Sequence, residues 1–585
     1  MEGRQKMATN KKPVAPANKK SANAALRSAE TWDSIDWNYH RMIVKKLQLR
    51  IAKATLGKKF RKVKSLQWIL THSLSAKLIA VKNVMKNKGS KTPGVDGIII
   101  KTPAEKLTLA KSMKRKGYHP SPLRRIYIPK AGNNKKLRPL GIPTIADRCQ
   151  QALHALSLIP VSEVTADHNS YGFRPQRCCA DAIEQTFKAL AKRVSPQWIL
   201  EGDIKGCFDH ISHAWMIDNL CMDKVIMTKW LKAGFIETGK LFPTTAGTPQ
   251  GGISSPVMCN MTLDGIANML KRNFPKHKGI NFVRYADDFI VTGYSKEILE
   301  NDIKPAITAF LKERGLELSQ EKTRVTHISE GFDFLGQNVR KYPSQGKFKL
   351  LIKPAKKNIH SFLAEIRKVF RKARSTTQAD LIKILNPKLR GWANYHRSVV
   401  SKETFTRIDD VIWQLCFRWA KRRHPGKGKR WVLEQYFKPI KGRNYRFSGF
   451  EKREDSTLRQ QTLLIMSYTP IRRHVKILKP AHPYDRKYDE YFEKRTSGKW
   501  KNNSQRLSIE SYISMIQQGK CPCCTEALKV NQNWCLSLKR KASKGGEYKL
   551  DNIDVVHDKC YTEWQTKRTS PVKPATKTSG GLQRA

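Results

Sequence analysis

The stretch from Asn281 to Gly293 constrains this chain more than any other. Asn281-Phe282-Val283-Arg284 and Phe289-Ile290-Val291-Thr292-Gly293 both read as β-forming runs, and between them stands Tyr285-Ala286-Asp287-Asp288. Two such runs so close together predict a hairpin. That hairpin carries two neighbouring carboxylates at its bend. Acids crowded among β-formers raise each other's pKa and cost free energy unless something compensates them, and a divalent cation does so where the site must also meet phosphates. Taken alone, a solvated turn explains the same residues, so the rest of the chain has to decide.

The partner class follows from charge. The sequence has 112 Lys+Arg against 48 Asp+Glu, a formal net charge of +64 with pI ≈ 10.1. Basic residues are spread through globular sequence with Trp, Tyr and Phe interleaved, which suits phosphate contact plus base stacking and points to nucleic acid rather than an anionic membrane. At 585 residues the chain exceeds one hydrophobic core and predicts several domains. No run of about 18 apolar residues and no signal-peptide core is visible, so no membrane association and a cytoplasmic location are expected. Seven of the 12 cysteines are scattered before residue 500 without disulfide spacing, and reduced thiols are expected there. The oligomeric state does not follow from the sequence.

Taken in order, residues 1–30 form a basic arm with almost no large apolar side chains, predicted to be disordered; a mitochondrial presequence is the rival reading. From Trp32 to about Lys88 the periodicity is helical (Ile43, Leu47, Ile51; Leu66, Ile69, Leu70) with basic residues on the other faces. Leu123 to Lys130 and Lys136 to Pro143 read as strands of a hairpin presenting Lys130 and Arg138, suited to a triphosphate; a solvated basic face is the alternative. Trp198-Ile199-Leu200-Glu201-Gly202 reads as a strand that delivers Asp203, and Phe208 follows five residues on. Gly247-Thr248-Pro249-Gln250-Gly251-Gly252 is a glycine-rich turn leading into a helical pattern, its glycines permitting close approach to a substrate. Leu316 to Thr323, with Lys322, and Phe332-Asp333-Phe334-Leu335-Gly336 complete the region.

Together these motifs resemble the reverse transcriptases encoded by group II introns, which also act as maturases. The match lies in the order Ile128-Pro129-Lys130, Arg138-Pro139-Leu140-Gly141, Tyr171-Gly172-Phe173-Arg174-Pro175, Asp203 with Phe208, Thr248-Pro249-Gln250-Gly251, Tyr285-Ala286-Asp287-Asp288, Lys322 and Phe334-Leu335-Gly336. The resemblance implies a multidomain α/β protein: a right-hand polymerase with fingers and an antiparallel palm sheet over 31–345, an α-helical thumb or maturase domain over 346–440, a DNA-binding segment over 441–505, and a small zinc-binding, HNH-like ββα module over 506–570 before a basic tail to 585. It further implies two Mg²⁺ ions held by Asp203, Asp287 and Asp288. Lys130 and Arg138 would grip an incoming dNTP, Phe208 would stack near its sugar and exclude a 2′-hydroxyl, Gln250 would touch the nascent pair or template, and Lys322 would donate a proton to pyrophosphate. The implied partners are group II intron RNA, target DNA and dNTPs. The alternative is a splicing cofactor that keeps the polymerase fold only as a scaffold; the presence of all three aspartates argues for catalysis. A cellular or defence reverse transcriptase without an intron is a third reading, opposed by the thumb element and the tail described next.

Beyond the polymerase, residues 358–372 and Phe405 to Trp419 carry apolar positions at helical spacing with basic residues elsewhere on the wheel. Between them, Leu389-Arg390-Gly391-Trp392-Ala393-Asn394-Tyr395 resembles the maturase thumb signature. Residues 441–505 interleave basic and aromatic side chains and resemble the family's DNA-binding segment, although residue chemistry alone leaves further RNA contact open. Cys521 and Cys524, then His557 and Cys560, form two pairs whose spacing suits a tetrahedral zinc site; reduced, unliganded thiols are the alternative. The segment resembles an HNH endonuclease that has lost its chemistry. Cys535-Leu536 stands after Trp534 where a His-His pair is expected, and Tyr561 stands where a further His is expected, so no strand cleavage is predicted.

Overall fold

The computed structural model describes residues 31–130, 133–274, 279–345, 347–440, 442–452, 457–502, 517, 520–528, 534–540, 545, 552–561 and 563. The expectations for 1–30 and 571–585, and the one resting on the Lys130 side chain, fall outside them.

The N-terminal third is helical, as its periodicity predicts. The helix Trp37–Leu56 starts at Asp36, whose carboxylate caps the N–H groups of Asn38 (2.9 Å) and Tyr39 (3.1 Å). It buries Val44, Leu47 and Ile51 at 3/4 spacing. Helices Phe60–His72 and Leu74–Lys86 pack beside it onto the long helix Ile145–Thr165, whose Thr144 cap accepts the Asp147 N–H at 3.1 Å. Strands β1 (Leu123–Lys130) and β2 (Asn133–Ile142) form the predicted antiparallel hairpin, in register Ile128 to Arg138. Strands β4 (Phe235–Glu237) and β5 (Lys240–Phe242) extend this sheet in the order β2-β1-β4-β5.

A second, wholly antiparallel sheet stands where the palm is expected. Its order is β6 (Asn281–Tyr285), β7 (Asp288–Gly293), β3 (Trp198–Gly202) and β8 (Arg324–His327). β7 is central and buried from Phe289 to Gly293, leaving Asp288 exposed at its start. Strands β9 (Phe332–Phe334), β10 (Gln337–Ser344) and β11 (Lys347–Pro354) make a smaller sheet that leads into the thumb.

The region expected to be the thumb is a helical bundle. Helix Lys356–Lys372 buries Phe362, Ile366 and Phe370, and helix Lys402–Arg423 buries Phe405, Ile408, Ile412 and Trp419. Leu389 to Tyr395 lies within a third helix, Gln378–His396, where Trp392 stacks on Phe362 with ring centroids 4.9 Å apart. The 469–495 segment is pinned to the palm by the buried Asp181 carboxylate, which accepts hydrogen bonds at 2.8 Å from His474 Nε2, the Ile477 N–H and Arg495 Nη2. Burial disfavours that charge, but these partners outweigh it and hold Asp181 well below the usual carboxylate range. In the tail, Trp534–Leu538 and Ile553–His557 form a two-stranded antiparallel ribbon. Among the described residues, no helix is long and apolar enough to cross a membrane.

Candidate active site

The palm register brings the three aspartates to one end of the sheet. Gly202 pairs with Phe289 across β3 and β7, so Asp203, one residue on, stands beside Asp288. A Cβ at 202 would lie 2.2 Å from the Phe289 ring. Glycine is therefore required where the ring crosses the strand that presents Asp203.

The hairpin bend is tighter than a solvated turn needs to be. Tyr285 pairs with Asp288, leaving Ala286 and Asp287 as the central residues, and Ala286 has φ of 58°. An L-residue in this region costs on the order of 1–3 kcal/mol and persists only when its surroundings over-determine it. Those surroundings are visible. Segment 169–172 lies along β6, with the Tyr171 N–H donating to Arg284 O (2.9 Å) and the Arg284 N–H donating to Asn169 O (3.0 Å). A Cβ at Gly172 would come 2.4 Å from Ala286 N, so backbone packs directly on backbone at the turn. Beneath it the Arg284 side chain is fully buried. Its Nη1 donates to Ala286 O and to Asn260 Oδ1, each at 3.2 Å, and its Nη2 donates to Asp264 Oδ1 at 2.5 Å.

At Asp287 and Asp288, burial and the neighbouring carboxylates outweigh the nearby cations. Burial, and then the charge of Asp203, push Asp287 above its usual range, with Lys322 and Arg138 pulling the other way. Burial and the charges of Asp287 and Asp203 push Asp288 up to about 7. Asp288 has exposed surface toward the cleft, yet protein encloses it on most sides, so its charge is poorly solvated. Lys322 Nζ donates to Asp203 Oδ2 at 2.6 Å, and that bond raises the lysine's pKa. A cavity of about 400 Å³ opens here, lined by Asp203, Asp288, Glu321, Lys322, Arg324 and Lys357 among others.

The remaining sequence-predicted residues frame this centre. Arg138 is exposed on β2, and its charge reaches Asp287; Lys130 ends β1, and its side chain lies outside the described residues. Phe208 meets Phe173 edge to face at 6.2 Å. The glycine-rich turn packs on the same segment: the Thr248 N–H donates to Phe208 O at 2.7 Å, and a Cβ at Gly247 (φ 83°) would lie 2.6 Å from that oxygen. Gln250 Nε2 donates to the Asp209 carboxylate at 3.1 and 3.2 Å, and its carbonyl accepts the Gly141 N–H at 2.8 Å, joining palm to fingers. The sequence gives no role to Arg284, Asn260 or Asp264, and it marks Gly172 and Phe173 only as part of the motif Tyr171 to Pro175. The one available signal was a charged residue inside an otherwise apolar strand.

In the tail, the ligand atoms of Cys521, Cys524, His557 and Cys560 lie within 4.8 Å of one another, with Cys524 Sγ and His557 Nδ1 3.2 Å apart. Burial opposes ionisation of Cys521, but backbone N–H groups aimed at its sulfur, from Cys524 first, draw its pKa down; burial pushes Cys560 up to about 12. Cys535 Sγ donates to Asp558, and the Tyr561 hydroxyl donates to Glu493 Oε2 at 3.1 Å.

Comparison with known proteins agrees with this geometry. Residues 128–339 match the family described as reverse transcriptase (RNA-dependent DNA polymerase), 32–113 match the N-terminal domain of reverse transcriptase, and 359–437 match the group II intron maturase-specific domain. The chain is 29% identical over 441 residues to the group II intron-encoded protein LtrA of Lactococcus lactis subsp. cremoris, covering 60% of this chain and 73% of that protein. It is 29% identical over 341 residues to protein YkfC of Escherichia coli K12 (50% and 88%). It is 23% identical over 393 residues to maturase-like protein 1 of Euglena longa (66% and 80%).

Proposed function

We propose a working arrangement for this site from one premise: the chain belongs to the group II intron-encoded proteins, as an RNA-directed DNA polymerase that also serves as a maturase. It binds group II intron RNA, and reverse transcriptase domains use divalent metals such as Mg²⁺.

Asp203, Asp287 and Asp288 suit Mg²⁺ because they are hard oxygen donors whose mutual repulsion the protein leaves largely uncompensated. Two bound Mg²⁺ ions would supply activation of the primer 3′-hydroxyl and charge neutralisation on the triphosphate. The protein's part is to hold the carboxylates in place through the Gly202 crossing and the Arg284-braced turn. Arg138, with Lys130, binds the triphosphate of an incoming dNTP. Phe208, fixed by the Thr248 contact and by Phe173, limits space at the sugar. Gln250, anchored on Asp209, borders the nascent pair. Lys322 Nζ stands at the Asp203 carboxylate and brings an ammonium N–H to the site, where it is available to protonate departing pyrophosphate. The convergence of Asp203, Asp287, Asp288 and Lys322 at one end of the palm sheet carries this reading. Asp287→Ala should abolish Mg²⁺-dependent cDNA synthesis on an RNA template, and an active variant would sink it.

In the same proposal the 441–505 segment contacts target DNA, and the strand pairings of β10 with β11 and of Phe437–Ile440 with Arg443–Lys452 run across the module boundaries expected near 345 and 440. The tail cluster binds one Zn²⁺ through Cys521, Cys524, His557 and Cys560, its support being the proximity of four suitable donors. The HNH-like module does not cut DNA, because Cys535 and Tyr561 offer no imidazole base and are engaged by Asp558 and Glu493. Metal-dependent nicking that disappears on deletion of 506–585 would refute the last point.

A further inference from the structure

A second cavity, of about 320 Å³, lies away from the palm carboxylates, where helix Phe60–His72, helix Ile145–Thr165 and the start of helix Lys224–Leu231 meet. Its size is that of a small-ligand site. One wall is aromatic. Trp68 is 57% exposed, and its ring is backed by His72 in a stack with centroids 4.1 Å apart at 24°. An indole held flat by a neighbouring ring yet largely open to solvent is a prepared stacking platform.

The floor holds polar groups without partners. His154 is only 5% exposed, and its ring meets Trp230 edge to face at 5.4 Å. Among the described residues the imidazole makes no hydrogen bond, although it lines the cavity. Burial draws its pKa down to about 4, so the ring is neutral and offers one donor and one acceptor. Gln67 lines the cavity beside it. Its Nε2 donates to Cys221 O at 2.8 Å, and its amide oxygen has no hydrogen-bond partner among the described residues. Lys64, Lys224 and Arg115 stand at the margin, with Arg115 also bonded to Asp223, which lines the cavity too, and Lys224 3.5 Å from Asp218 Oδ1.

An aromatic wall, a donor-and-acceptor floor and a cationic margin match the face, edge and phosphate of one nucleotide. We infer that this cavity binds a single unstacked nucleotide, with its base against Trp68, its edge toward His154 and Gln67, and its phosphate near Lys64 and Lys224. The source is a residue splayed out of bound RNA. A free mononucleotide has the same chemistry and is separated by the experiment. The inference rests on the reading that this protein binds RNA.

The test is ultraviolet cross-linking of the full-length protein to an unstructured RNA oligonucleotide carrying 4-thiouridine, followed by peptide mapping. A cross-link is expected in peptides spanning 60–72 or 221–225. Trp68→Ala should reduce its yield roughly fivefold or more, the loss expected for one stacked base. His154→Leu, which fills the same volume without polar atoms, should also reduce it, while cross-links elsewhere persist in both variants. Thermal melting of each variant checks that it has folded. Competition of this cross-link alone by millimolar adenosine monophosphate would assign the pocket to free nucleotide, and its absence would assign it to RNA. Cross-links elsewhere but none here, as for a pocket reserved for a protein side chain, would overturn the inference while leaving RNA binding intact. A cross-link here insensitive to both substitutions would also overturn it. No cross-link anywhere would refute RNA binding itself and the inference with it.

Discussion

Replacing Arg284 with methionine removes a brace that touches no substrate, and so separates positioning from chemistry. Methionine is of similar reach, but it leaves Asp264 buried without its ion pair, Ala286 O without the Nη1 donor, and Asn260 Oδ1 without its partner. Breaking a buried ion pair from one side costs about 3–5 kcal/mol. At roughly 2–4 °C per kcal/mol for a domain of this size, the melting temperature should fall by roughly 10 °C. Asp264 already sits at about 6, because burial outweighs the attraction of Arg284. Without the guanidinium its folded-state pKa rises further. A carboxylate raised above its unfolded value destabilises progressively as pH climbs from the unfolded toward the folded pKa, so the variant's deficit should shrink on moving from pH 8 to pH 6. Freed of one clamp, the strained Ala286 turn shifts Asp287, and misplacement by about 1 Å costs on the order of a hundredfold in rate. Primer extension on an RNA template should therefore show kcat reduced on that scale, with KM for dNTP within about twofold, while Arg284→Lys recovers more stability than activity. Wild-type melting in Arg284→Met, or a folded variant with undiminished kcat, would refute this role.

Lys322→Met should lower kcat by a factor of about 10²–10⁴ if Nζ protonates the leaving group, and pre-steady-state nucleotide incorporation would register it. Asp288, at about 7 before metal binds, must lose its proton to become a ligand; Mg²⁺ affinity from calorimetry should strengthen between about pH 6 and 8 and respond less to pH in Asp288→Asn. Phe208→Ala should admit ribonucleotides, narrowing the dNTP/rNTP ratio of kcat/KM by roughly tenfold to a hundredfold in single-nucleotide incorporation assays.

The parts of the fold that follow local rules were legible in the sequence. Helical spacing at Ile43, Leu47 and Ile51, the apolar runs either side of Tyr285, and the Gly-Pro punctuation before Met258 each correspond to an element in the structure, although the first helix buries Val44 in place of Ile43. The maturase element from Leu389 to Tyr395 shows the limit: its resemblance marked it, but Gly391 and the internal Pro387 hid that it is continuous helix. At the site, the acids could be found because chemistry demands their residue type. Their supports could not, because Arg284 serves through contacts with residues 20 and 24 positions away. Gly172 is legible as a glycine, but its need for close approach to Ala286 exists only once segment 169–172 lies along β6. Nothing in the sequence distinguishes His154, and only the cavity beside it brings the ring to notice.

The central claim is that Asp203, Asp287 and Asp288 together hold the polymerase metals. It is tested most directly by counting Mn²⁺ bound per chain, by electron paramagnetic resonance, in the full-length protein with an RNA–DNA primer–template and a non-hydrolysable dNTP. Two ions per wild-type chain are expected, with at least one lost in Asp203→Asn and in Asp287→Asn. Undiminished occupancy in either variant would contradict the claim.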